Sequence, residues 1–241
     1  MKLTYENLFG FNIVVCDSVD TLSTFSIHNP GIYVSANAEA IYKQDPDFLR
    51  IINNNYGYAD GVGAVISSHI NGNGSLVKIP GCELWLSVLS KLSYSKVAFI
   101  GGDENTIEKL IIKIETEFPS LDVVFYNNGF FKNEELVLST LKELEPQFVF
   151  VGMGQPKQEA FCEKAQKLLP EVSYFPVGGS FDLYVGKVDR APIWMIKLSC
   201  EWLYRLYKDP SRWRRQLVLP MFLFRCISSR VLQPFHRISP K

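Results

Sequence analysis

Short β-rich runs alternate with longer helix-like stretches along most of this chain, and no other feature of the sequence constrains its fold as tightly. Segments 12–16, 31–35, 95–100, 121–126, 147–151 and 172–177 gather β-branched and aromatic residues at strand length. Between the last four, segments 105–118, 133–144 and 157–169 repeat apolar residues at helical spacing, and each is long enough to cross over a sheet. Strand, crossover and strand again is the pattern of an α/β fold, a largely parallel sheet sandwiched by helices. With 241 residues, 47% of them hydrophobic, the chain can bury one sizeable core and carry a small appendage.

The net charge of zero hides an asymmetry. Residues 1–189 hold 14 Lys/Arg against 23 Asp/Glu, a charge of −9, whereas residues 190–241 hold 11 against 2, a charge of +9. The sign changes at Arg190-Ala191-Pro192, and three of the four tryptophans, Trp194, Trp202 and Trp213, follow. The chain therefore divides into an α/β body, 1–189, and a basic, aromatic-rich helical appendage, 190–241. Arginines among Trp, Tyr and Leu suit an interfacial helix that meets an anionic membrane surface. A helical hairpin packed on the acidic body is the alternative. Nucleic acid is not an expected partner, because the appendage is more apolar than a phosphate-binding face requires. Its longest apolar run, 217–224, is interrupted by Pro220 and is shorter than the roughly 20 residues needed to span a bilayer. Residues 1–13 do not read as a signal peptide. Five scattered cysteines without C-x-x-C spacing point away from disulfides and zinc, towards a reducing compartment.

Three strand ends are glycine-rich: Gly101-Gly102, Gly152-Met153-Gly154 and Gly178-Gly179. At the carboxyl end of a parallel strand such turns let backbone approach a ligand, and the next helix offers free N–H groups to an anion such as a diphosphate. They also serve simply as tight turns. Lys157 stands where a dinucleotide fingerprint needs its third glycine, and no P-loop occurs, so a nicotinamide enzyme is only a secondary reading and a P-loop ATPase is excluded. Asp60, in Ala59-Asp60-Gly61-Val62-Gly63, is either a general base or the N-cap of a helix. Asn37, after segment 31–35, either meets a sugar hydroxyl or caps the helix beginning at Ala38. Asp45-Pro46-Asp47 reads literally as a metal-binding D-x-D, but Pro46 suits the first turn of a helix and Asp45 its cap. No metal or other cofactor is expected.

Taken in order, Ser35-Ala36-Asn37, Ala59 to Gly63, Pro80-Gly81, Gly101-Gly102, Gly152 to Glu159, 177–192 and Glu201-Trp202-Leu203-Tyr204-Arg205 resemble the WecG/TagA/CpsF family, over about residues 10–216. The resemblance implies an inverting, metal-independent glycosyltransferase. It would move a sugar from a UDP donor onto an undecaprenyl-diphosphate-linked saccharide at the cytoplasmic face of the membrane. The product would be capsule, exopolysaccharide, teichoic acid or common antigen. It further implies that Asp60 is the catalytic base with Asn37 and Ser35 beside it, and that Gln158 and Asp182 line the nucleotide pocket. Lys78 stands where the family often has Arg, and Cys82-Glu83 where Ser/Thr-Asp is usual. Lys78, Arg190, Arg205, Arg212, Arg214 and Arg215 are the candidate contacts to phosphate or lipid diphosphate. A non-catalytic membrane scaffold is the rival from another class, and a homo-oligomer stays open.

Overall fold

The computed structural model describes residues 3–197, 200–208, 210, 213 and 217–232. Its centre is an eight-stranded sheet in the order β1-β2-β4-β3-β8-β7-β5-β6, built from β1 (Thr4–Leu8), β2 (Phe11–Val15), β3 (Gly31–Ala36), β4 (Tyr56–Ala59), β5 (Lys96–Gly101), β6 (Asp122–Asn127), β7 (Phe148–Gly152) and β8 (Ser173–Pro176). Only the β1–β2 hairpin at one edge is antiparallel; the other pairings are parallel. The α/β expectation thus holds, with six strands near their anticipated positions and β1 and β4 added to them.

Alternation along the central strands decides which helices pack where. Ile32, Val34, Ala98, Ile100, Val149 and Val151 face one layer. It is formed by α2 (Ala38–Lys43), α3 (Pro46–Asn53), α4 (Val62–Asn71), α7 (Glu134–Leu144) and α8 (Lys157–Leu168). Tyr33, Val97, Phe99, Phe148, Phe150 and Phe175 face the opposite layer, formed by α1 (Val19–His28), α5 (Gly81–Leu89), α6 (Glu104–Glu117) and α9 (Ser180–Tyr184). All six residues of β3 are buried, as a parallel strand covered on both faces requires.

On the second face, aromatic rings stack from strand to strand. Tyr56 lies on Tyr33 at 4.8 Å, Tyr33 on Phe175 at 5.0 Å, Phe175 on Phe150 at 5.1 Å and Phe150 on Phe99 at 5.3 Å between centroids. The ladder therefore crosses β4, β3, β8, β7 and β5 without a gap. Such pairs contribute about 0.5–1.5 kcal/mol each beyond their buried area.

Beyond the body come α10 (Ile193–Lys197), α11 (Glu201–Lys208) and α12 (Val218–Leu232). The inner face of α12 lies on α2 and α4, where Phe222 and Cys226 are fully buried in the first core layer. Phe222 meets Phe9 edge-on, and the Arg225 guanidinium donates to the Tyr42 carbonyl at 3.2 Å. The charge boundary at residue 190 is therefore not a boundary of the core, since α12 is built into it. Its outward face carries Leu217 just before the helix and then Met221, Phe224 and Ile227, all exposed, with Phe224 74% accessible. None of the described helices is long and apolar enough to cross a membrane.

Candidate active site

Ligands of open α/β sheets bind beyond the carboxyl ends of the strands, where neighbouring connections diverge. Here the chain leaves β5 outward to β6 and leaves β7 inward to β8, so the crevice opens between β5 and β7. The three glycine junctions line it. Gly101 pairs with Gly152, and a Cβ on Gly101 would sit 2.3 Å from the Gly152 carbonyl oxygen, so the two strand ends can close up only as glycine. Gly178 has a φ of +57°, and the space above it is open. Backbone without side chains thus lines this part of the cleft as a glycine cradle.

Gln158, at the start of α8, is 1% exposed. Its Oε1 accepts from the backbone N–H of Gly154 (3.1 Å) and of Gly178 (2.9 Å), and its Nε2 donates to Glu159 Oε1 (2.9 Å). The structure thus places Gln158 beneath the cradle, with its amide sewing two glycine junctions together. Asp182 lies at the crevice mouth, where its Oδ1 accepts from Thr106 Oγ1 at 2.9 Å and pairs with Lys187 at 3.2 Å. Lys187 also pairs with Asp103, the N-cap of α6, whose carboxyl is lowered to about 2 chiefly by that lysine. Phe130, in the loop after β6, is exposed beside the same junctions, since Gly129 packs on Gly101 and Met153.

The acid lies on the other side of β8. Asp60 follows β4 directly, and its N–H donates to Ala36 O at 3.1 Å, tying it to the end of β3. The cap reading fails, because α4 begins at Val62 and Gly61, with a φ of +88°, occupies the N-cap position. Pro80-Gly81 brings the N-terminus of α5 against the acid: a Cβ on Gly81 would lie 3.4 Å from Asp60 Oδ2 and 2.9 Å from the Tyr58 hydroxyl. A helix N-terminus favours a negative charge placed there. Burial and the charge of Asp60 drive the Tyr58 hydroxyl well above its ordinary pKa, so it remains neutral.

Asn37 is the cap of α2 and also reaches the β7–α8 junction. Its Oδ1 caps α2 by accepting from Ala40 N at 2.9 Å, while its Nδ2 donates across the cleft to Gln155 Oε1 at 3.1 Å. Asp45 is a cap: its Oδ1 accepts from Phe48 N at 2.8 Å, with Pro46 opening α3.

Cations rim the acid half. Lys78 pairs with Glu201 of α11 at 3.2 Å, and Arg190 pairs with Glu83. Cys82, between them, is pushed up to about 11, first by burial, with Arg190 opposing and Asp60 and Glu201 adding. The segment after residue 189 therefore folds over the Asp60 end of the cleft. Arg205 belongs to α11, whereas Arg212, Arg214 and Arg215 lie outside the described residues. Gln155, Glu159, Lys187, Glu201 and Phe130 were not singled out from sequence, and only Glu159 broke a local rule there, as an acid on the inner face of an amphipathic helix.

Sheet and cleft together define an α/β protein with a crevice at a topological switch point. The chain belongs to the glycosyl transferase WecG/TagA/CpsF family, which it matches over residues 7–235, and is a glycosyltransferase. Among its relatives is the N-acetylglucosaminyldiphosphoundecaprenol N-acetyl-beta-D-mannosaminyltransferase of Bacillus spizizenii. The two are 33% identical over 207 residues, which span 83% of this chain and 80% of that protein. The protein of the same name from Bacillus subtilis is 32% identical over 182 residues, 74% of this chain and 71% of that one.

Glu159 is fully buried, and its Oε2 has no hydrogen-bond partner among the described residues. Burial pushes its carboxyl up to about 6, against the pull of the Gln158 and Gln155 amides. A carboxyl raised from an ordinary value of 4.5 lowers stability once the pH exceeds both values, and costs nothing below them. Glu159→Gln is therefore expected to stabilise the fold at pH 7 by about 2 kcal/mol, the equivalent of that shift. The gain should vanish below pH 4.5. Denaturant unfolding at pH 4 and pH 7 checks this, and a variant less stable than wild type at pH 7 would contradict it.

Proposed function

We propose that this protein transfers a sugar from a UDP donor onto an undecaprenyl-diphosphate-linked saccharide, with inversion at the anomeric carbon. The observation that carries this reading is a glycine cradle and a carboxylate opening on the same sheet edge. Between Asp60 on β4 and the cradle on β7 lie three strand spacings, about 14 Å, room for a diphosphate and a sugar laid along the edge. UDP rests over Gly101, Gly102, Gly152, Gly154, Gly178 and Gly179. Gln158 holds that backbone in place from below, Asp182 meets the nucleoside, and Phe130 is placed to stack on its base.

Asp60 takes the proton of the acceptor hydroxyl as its oxygen attacks the anomeric carbon. The bond to the donor's β-phosphate breaks on the opposite face, and UDP leaves with the electron pair. Ser35 and Asn37 flank that attack. Lys78 and Arg190, with Arg205, Arg212, Arg214 and Arg215 from the basic segment, attract the acceptor's lipid diphosphate. The activity for which the relatives are named supports this acceptor class, and the product belongs to a cell-surface polysaccharide such as a teichoic acid, common antigen, capsule or exopolysaccharide.

The test is turnover with a UDP-sugar set and a short-chain undecaprenyl-diphosphate-type acceptor, read by mass spectrometry. Asp60→Asn is expected to lower kcat by about 100-fold or more while UDP affinity stays nearly unchanged. Turnover like that of wild type would remove Asp60 from the mechanism.

Residues 190–241 dock the enzyme on the anionic cytoplasmic leaflet. Support comes from the outward stripe of Met221, Phe224 and Ile227 and from exposed Trp194 and Trp213, set among basic residues. Because Phe222 and Cys226 are core residues, deleting the segment would unroof α2 and α4, and surface substitutions are the cleaner probe. Met221→Ser with Phe224→Ser should leave the unfolding midpoint near that of wild type and cut sedimentation with anionic liposomes several-fold. Added salt should weaken the wild-type binding as well. Undiminished liposome binding by the double variant would refute docking through this face.

A further inference from the structure

Gln155 opens the β7–α8 junction, yet its side chain serves the opposite half of the cleft. Nε2 donates to Ser35 O at 3.0 Å and to Ser35 Oγ at 3.1 Å, and Oε1 accepts from Asn37 Nδ2 at 3.1 Å. Both ends of the amide are thus committed to the end of β3, about 120 residues earlier in the chain. From there the contacts run directly to the acid. Ser35 and Ala36 are the strand partners of Tyr58 and Ala59, and the next residue, Asp60, donates its N–H to Ala36 O at 3.1 Å. Three residues further on, Gln158 serves the donor half: its Nε2 is held by the buried Glu159 carboxylate while its Oε1 collects the N–H groups of Gly154 and Gly178. One short stretch of chain, 155–159, therefore grips both halves of the cleft.

We propose that Gln155 is a positioning residue that sets the acid half of the site against the donor cradle, acting on Asp60 through Ser35 and Asn37. This rests on the reading of Asp60 as the base. Gln155 is half-buried at the cleft, where water can replace its hydrogen bonds, so removing it costs the fold little. Chemistry is less forgiving, because a misplacement of about 1 Å between reacting groups can cost about 100-fold in rate.

A double-mutant cycle with Asp60→Asn on the full chain tests this, measuring kcat, both KM values, UDP affinity by calorimetry and the unfolding midpoint. Gln155→Ala is expected to lower kcat about 10-fold or more. UDP affinity and donor KM should stay within about 3-fold, and the midpoint within about 2 °C. Gln155→Glu, which can still accept from Asn37 but as a carboxylate cannot donate to Ser35, should lose as much. In the Asp60→Asn background, Gln155→Ala should lower the residual rate no further. An unchanged kcat in Gln155→Ala overturns the proposal. So does a further loss of the same size in the Asp60→Asn background, which would mean that Gln155 acts independently of the acid. A loss of kcat matched by a comparable loss of stability also overturns it. If Asp60→Asn itself turns over like wild type, the functional reading fails, and the proposal fails with it. An inactive Asp60→Asn beside a fully active Gln155→Ala sinks the proposal alone.

Discussion

The stacked aromatic ladder from Tyr56 to Phe99 holds five parallel strands in a single register, and the site depends on that register. Strand pairing by itself tolerates slippage, but a slip of one residue would turn each ring to the wrong face of the sheet. With the rings aligned, Ser35 pairs with Tyr58, Ala36 with Ala59 and Gly101 with Gly152, so the strands end together. Asp60 and the glycine junctions then emerge on one edge without any loop having to reach for them.

The two halves of the cleft are built on different physics. The cradle is made of backbone: glycines whose Cβ atoms would collide or whose φ is positive, with a buried glutamine collecting their N–H groups. The acid half is made of side chains and charge: a carboxylate against a helix N-terminus, a neutral tyrosine behind it, and Lys78 and Arg190 paired at the rim. Buried carboxylates support both regions. Glu6 occupies a core-facing position of β1. Burial would raise it, but hydrogen bonds from Ser75, Ser68 and Asn73 together hold it below the usual range and pin the loop that leads towards Lys78 and Pro80. At Glu159 only Oε1 is bonded, burial outweighs that bond, and the charge is retained at a cost in stability.

The interior of the fold was legible because β3, β5, β7 and β8 are continuous apolar runs of strand length, a pattern that only a sheet covered on both faces demands. Strand β4 was not legible. It has four residues, one of them Gly57, whose missing Cβ makes room for Ile52. Strand β1 hid because Glu6 stands where alternation calls for an apolar residue. At the site, local sequence could name Asp60 and Asn37 but could not decide between cap and chemistry. Folding removes the cap from Asp60, because Gly61 takes that position in α4, and leaves it with Asn37, which also meets Gln155 from 118 residues away. Composition likewise placed a boundary at residue 190, where charge changes sign, whereas packing carries α12 back into the body through Phe222 and Cys226.

The proposed mechanism sets Asp60 on one side of the sugar and the glycine junctions on the other, and a single in-line displacement between them has one stereochemical result. The anomeric configuration of the product, read by NMR on material made from an α-linked UDP-sugar, tests the arrangement directly. A β-linked product is predicted. An α-linked product would mean retention, by a second displacement or by attack from the face that UDP leaves, and would contradict an acid and a leaving group held on opposite faces.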